Sequence, residues 1–165
     1  MKNLMIAVAV LLTMTACTDK SQQMVELAEM SLRQSVGEGS ELKILGVSEP
    51  DSAFGTSYLT PDEKKATMAT MKKVTEQIMS RTQNMTVFDP NDTYVIGLVE
   101  RQMRANSDLR SMLFECDKKG EWSGWKVKID YQCVDANGIP YKAERWCFID
   151  KEGKQVYKSF ELPIP

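Results

Sequence analysis

Apolar and polar positions follow two different periods along this chain, and the change between them divides it. Val25, Ala28, Leu32 and Val36, with Met24 and Leu27, fall at helical spacing and predict a first helix over about 21–36, ended by Gly37 and Gly39. Leu42, Ile44, Leu45 and Val47 predict a short strand. Pro50, Asp51, Ser52 and Gly55 are breakers and make 49–59 an expected irregular link. A second helix has the clearest start signal in the chain. In Thr60-Pro61-Asp62-Glu63, Thr60 takes the cap, Pro61 suits the first helical position, and Glu63 can reach back to the cap. Met68, Met71, Val74, Ile78 and Met79 form its expected buried face, and Asp89-Pro90-Asn91-Asp92 breaks the chain after it.

From Thr93 onward the pattern predicts strands only, over roughly 93–104, 109–117, 125–134, 141–149 and 154–161. Asn137-Gly138 is the preferred pair for a two-residue hairpin. Asp117-Lys118-Lys119-Gly120 and Asp150-Lys151-Glu152-Gly153 place glycine where longer loops need it. A two-residue turn at Asn137-Gly138 sets Tyr131 opposite Glu144, Ile129 opposite Trp146 and Val127 opposite Phe148. One face then collects Val127, Ile129, Tyr131, Trp146, Phe148, Val156 and Phe160, and the other Lys126, Lys128, Asp130, Gln132 and Arg145. Such sorting predicts an antiparallel sheet with one buried face, covered by the two helices. Ala105-Asn106-Ser107 and Ala136-Asn137-Gly138 each lead to a phenylalanine and an Asp-Lys-x-Gly turn. Shared turn vocabulary is favoured over a true internal repeat.

The N-terminus has a different layout. Lys2 is the only charge before Asp19, Leu4 to Leu12 is nearly unbroken apolar sequence, and Thr13-Met14-Thr15-Ala16-Cys17 follows. A basic start, a short apolar core and small residues at the cut make a secretory signal. The apolar stretch falls short of the about 20 residues of a spanning helix. Residues 1–17 resemble the lipobox segment of bacterial lipoproteins, with Ala16 and Cys17 in the matching positions and Met14 where leucine is usual. The resemblance implies cleavage before Cys17 and lipidation of that cysteine. The expected organisation is a signal peptide over 1–16, lipidated cysteine and tether over 17–22, and a single α+β domain over 23–165. The implied location is the cell envelope, lipid-anchored. Thr18 resembles an outer-membrane sorting position, at the periplasmic face or the cell surface. Cys17-Thr18-Asp19-Lys20 is also similar to the start of small lipoproteins of Bacteroidetes-type bacteria.

Charge and chemistry narrow the function classes. The formal net charge is −2, and loss of Lys2 with the signal makes it −3. With no basic cluster, nucleic acid is not an expected partner. The chain has no histidine, which removes the commonest general base and every Ser-His or Cys-His pair. There is no glycine-rich phosphate loop, and no cofactor is expected. No metal site is expected either, because Cys116, Cys133 and Cys147 lack the close spacing of structural zinc ligands. In the predicted register Cys133 points into the core and Cys147 out of it. Cys116 and Cys147 flank a strand at about 9–10 Å, too far for a bridge. The three thiols are therefore expected to stay unpaired. Most methionines beyond the signal fall at core spacing.

Candidate contact residues are few. Trp122 and Trp125 lie close together before a strand, and an exposed pair there would suggest a contact site. Tyr141 could line a ligand surface, whereas Trp146 reads as core. Glu144 falls on the predicted apolar face, so it is either a costly buried carboxylate or a solvent-facing edge residue. No residue qualifies as catalytic.

Helix, strand, helix and antiparallel meander resemble the cystatin-like and NTF2-like folds. The expected class is α+β, with two helices packed on a mainly antiparallel, curved five- to six-stranded sheet. Such folds host binding modules, inhibitors and a few enzymes, and the absence of histidine and of catalytic motifs favours a lipid-anchored binding or accessory module, holding an envelope protein or small ligand between sheet and helices. One alternative is a carboxylate-dependent enzyme in that concavity. Another is a cystatin-like protease inhibitor acting through hairpin tips at 105–108 and 136–140.

Overall fold

The computed structural model describes residues 20–87, 89–110, 112 and 119–165. Cys17, Cys116 and most of the predicted strand over 109–117 lie outside the described residues. Helix α1 occupies 20–36, strand β1 Glu41–Val47 and β2 Asp51–Phe54. Helices α2 and α3 span Pro61–Arg81 and Thr93–Arg110. Strands β3, β4 and β5 span Trp122–Val134, Pro140–Ile149 and Val156–Ile164. The fold is α+β, with three helices on a curved, unclosed, five-stranded antiparallel sheet. The sheet order is β1-β3-β4-β5, and β2 continues the β1 edge by pairing with the start of β3.

Local chemistry explains α2 fully. Thr60 N–H donates to Glu63 at 2.7 Å while Glu63 N–H donates to the Thr60 hydroxyl at 3.3 Å. Each orphan N–H is satisfied by the other residue's side-chain oxygen. The free oxygen of Glu63 also meets Lys126 Nζ at 2.5 Å, and Asp51 lies 3.5 Å from the same ammonium. Lys126 is 4% exposed, so the cap of α2 doubles as the counter-charge of a buried lysine on β3. Met71, Val74 and Ile78 are buried as expected, but Met68 and Met79 are exposed.

Three expectations are corrected. First, 93–104 is not a strand but the first two-thirds of α3. Val95, Leu98, Ala105 and Leu109 are its buried positions, a helical stripe whose β-branched start mimics a strand. The predicted hairpin tip at 105–108 therefore lies inside a helix, and the two similar segments do not share a structure. Second, 49–59 holds the short strand β2. Third, residues 20–22 belong to α1 rather than to a tether.

The register differs from expectation by one residue. The β3–β4 loop is Ala136-Asn137-Gly138, closed by the Asp135 N–H donating to the Ile139 carbonyl, with Val134 paired to Pro140 beyond it. Asp135 sets it: its carboxylate accepts from the Asn137 and Ile139 N–H groups, both at 2.9 Å, and Gly138 has φ 76°. That is the three-residue hairpin rather than the two-residue one. One residue flips every side chain of a partner strand. Tyr131 consequently faces Ala143, Ile129 faces Arg145 and Val127 faces Cys147.

The flip gives the sheet two cores instead of one. Met24, Ala28 and Leu32 of α1 pack on Val127, Ile129, Tyr131, Cys133, Ala143, Cys147 and Ile149. On the other face Met71, Ala105 and Leu109 pack with Trp146, Phe148, Phe160 and Leu162. Trp146 and Phe160 stack at 5.9 Å with planes 8° apart. Arg145 therefore shares the α1 face, and Cys147 is buried there rather than pointing out. Cys133 and Cys147 are both buried and free. Helix α3 runs beside β5, so Ala105 and Leu109 reach the second core while Arg101 reaches the α1 side.

Candidate functional site

The end of the sheet where β3 turns into β4 stays open. Two cavities lie there, of about 620 and 640 Å³, and they share Gly97, Arg101, Ile139 and Tyr141. Both volumes fall in the range of small-molecule sites. The first is lined by Leu42, Tyr94, Leu98, Cys133, Val134 and Ile164 among others and is mainly apolar. The second is polar, with Arg104, Asp135, Arg145, Ser159 and Glu161 in its wall.

Arg101 is the partition between them. It projects from α3 opposite the β3–β4 loop and is 14% exposed. Its guanidinium sits 3.3 Å from the centre of the Tyr141 ring, a cation–π contact. Its nitrogens lie 3.4 Å from Glu161 and 3.8 Å from Asp135. Gly97, one turn earlier on the same helix, has open space where a side chain would project.

Glu161 gathers the rest of the network. It accepts a hydrogen bond from the Tyr131 hydroxyl at 2.6 Å and lies 3.8 Å from Arg145. Arg145 also donates to the Ser159 hydroxyl at 2.8 Å. Its Nε is buried without a hydrogen-bond partner, while the residue as a whole lines the polar cavity.

Electrostatics keeps the acidic hydrogens of this region in place. Burial first, and then the Glu161 charge, push the Tyr131 phenol far above its ordinary range. Burial, a hydrogen bond with Cys133 and the Glu161 charge raise Tyr141 to about 12, with Arg101 pulling the other way. Burial raises the Cys147 thiol, against the opposing pull of Arg145. Both phenols thus stay protonated, with the Tyr131 hydrogen committed to Glu161, and Arg101 presents the cation on the cavity walls. Among the described residues no three His, Cys, Asp or Glu side chains cluster as a metal site.

Of the residues singled out from sequence, the structure brings only Tyr141 here. Trp122 and Trp125 sit at the opposite end of β3, edge to face at 5.9 Å. Glu144 lies on the other face of the sheet, where it accepts from Trp146 Nε1 at 2.5 Å and from Lys128 at 3.2 Å. It is neither unpaired in the core nor at a free edge: burial tends to lower the Lys128 pKa, but Glu144 and Asp130 outweigh it and raise it. Arg101, Arg145, Glu161 and Tyr131 do not stand out in the sequence, because a two-residue turn sends Arg145 to the wrong face and 93–104 has the composition of a strand. The spacing of Val95, Leu98, Ala105 and Leu109 was the signal that would have placed Arg101 on a helix. Comparison with known proteins gives no matching family model, no matching curated protein and no matching solved structure.

Proposed function

We propose that the chain is a lipid-anchored binding protein of the bacterial envelope, holding a small ligand with an apolar body and an acceptor or acidic end in the paired cavities. The observation that carries the binding reading is the Arg101–Tyr141 partition, with an apolar cavity on one side and a polar one walled by Arg104, Asp135, Arg145 and Glu161 on the other. The anchor reading rests on the signal-like layout of residues 1–17, ending in Ala16-Cys17. No helix among the described residues is long and apolar enough to cross a membrane.

Two experiments test the two halves separately. Cys17→Ser should release the protein from membranes, and a variant that still pellets at high salt removes the anchor. For the cavity, 1-anilinonaphthalene-8-sulfonate has the expected apolar body and anionic end. It should bind saturably at one site, and Arg101→Ala should weaken it about tenfold, the effect of one lost charged hydrogen bond. A folded Arg101→Ala variant that binds the dye as well as the parent would remove the binding reading.

A further inference from the structure

The end of the sheet opposite the cavities carries a second surface with its own chemistry. A chain of contacts links it to the start of α1. A Cβ placed on Gly153 in the β4–β5 turn would lie 3.2 Å from Met24 and 3.4 Å from the Lys20 side chain, so α1 begins against that turn. Two residues before Gly153, the Lys151 carbonyl accepts from Trp125 Nε1 at 3.4 Å, and the Lys151 ammonium lies 5.4 Å from the Trp122 ring. Lys119 stands 3.9 Å from the neighbouring Phe54 ring. Trp122 is 40% exposed, and Lys20, Lys119, Lys151 and Lys154 are exposed around it. Glu121 and Glu152 are exposed among them, so the patch is amphipathic rather than strongly cationic.

From these contacts we infer that the Trp122–Trp125 end is a bilayer-docking surface, with Trp122 seated at the lipid–water interface and the surrounding lysines at headgroup level. This inference rests on the lipid-anchor reading. What selects a bilayer over a protein partner is the chain that leads to the patch. Only Thr18 and Asp19 separate Cys17 from Lys20. Three residue steps reach at most about 10 Å. An acyl-bearing Cys17 would therefore place the membrane within a side chain or two of Gly153 and Lys151. Tryptophan is the side chain that prefers this depth, because its ring is apolar and its N–H is polar. Lysine stems can lie along the apolar surface while their ammonium groups stay wet. Docking of this kind is aromatic rather than electrostatic, and salt should not reverse it.

Docking also sets orientation. The strand β3 runs from Trp122 at this end to Cys133 at the apolar cavity. Eleven steps at about 3.3 Å hold the cavities about 36 Å along the sheet from the interface. The cavities then stand clear of the lipid, within reach of a ligand arriving from solution.

The test uses the full chain extracted from its native membrane and reconstituted into phosphatidylcholine–phosphatidylglycerol vesicles. Some vesicles carry acyl chains brominated near the headgroup. Tryptophan emission should fall by up to about a third relative to unbrominated vesicles, since one of the three rings, Trp122, is seated in the shallow 5–10 Å boundary layer. Trp122→Phe should lose most of that quenching, and high salt should leave it unchanged. Unquenched emission overturns the docking surface, whatever Cys17→Ser shows of the anchor. Quenching undiminished in Trp122→Phe also overturns it. So does an emission shift that follows protein density instead of bromination, because the patch then meets a second copy.

Discussion

The two ends of β3 are built to opposite specifications. At the Trp122 end the backbones close on one another. A Cβ on Gly124 would stand 2.1 Å from the Ile149 carbonyl oxygen, and one on Gly120 would stand 3.1 Å from the Gly55 Cα. At the Val134 end the hairpin glycine, Gly138, has nothing within 4 Å of where a Cβ would be, and two cavities open beside it. Closure at one end and space at the other separate the stability of the domain from its recognition surface. A fold can leave buried donors idle only where the rest of its packing supports them.

The largest test of this contrast is a pair of glycine substitutions. Gly124→Ala meets the Ile149 carbonyl and an unfavourable φ of 142°, and should cost about 4 kcal/mol or prevent folding. Gly138→Ala keeps its space and suffers only the left-handed φ of 76°, about 1–2 kcal/mol. Urea midpoints of the two variants compare them directly, and equal losses would erase the distinction between the ends. Next in size, Glu161→Ala strands Arg101, Arg145 and the Tyr131 hydroxyl together, and should cost about 2–3 kcal/mol. A loss under about 0.5 kcal/mol in thermal or urea unfolding would show that Glu161 does not organise the polar cavity.

The smallest effect appears with pH. Both raised phenols lie at the cavity end and keep their protons in the folded state longer than in the unfolded chain. The unfolded chain then binds fewer protons above its own tyrosine pKa of about 10, so stability falls as pH rises from there. For Tyr141 the loss continues to about 12. Tyr141→Phe should flatten part of that decline, measured as urea midpoints across alkaline pH. An unchanged decline in the variant would place the titrating group elsewhere.

Structure decided within a few residues is legible in the sequence, and structure decided across the chain is not. The α2 cap needs only Thr60 and Glu63, and it was legible in full. The α+β class and the three long strands were also legible from their alternation and turn glycines. Helix α3 was not: Thr93-Tyr94-Val95-Ile96 has strand-like composition, and packing against β5 decides its state. At the β3–β4 loop, the Asp135 carboxylate adds one residue to the turn that Asn137-Gly138 alone suggests. That single residue turned a predicted one-faced sheet into a sheet with two cores. It also hid the candidate site, because Arg145, Tyr131 and Glu161 meet only in the observed register. Tyr141 was recognised, but without the partner that gives it meaning.

The broken outer edge of the sheet bears on a different hazard. The strands β1 and β2 form that edge between them, with Pro50 in the link and register irregularities at Ile44/Gly46 and Ala53/Phe54. A long regular edge invites another chain to add a strand, whereas bulges and a proline interrupt the row of free backbone groups. On the far side, α3 lies against β5. Molecules of this protein crowded at high local density therefore meet one another without a continuous template for intermolecular sheet growth.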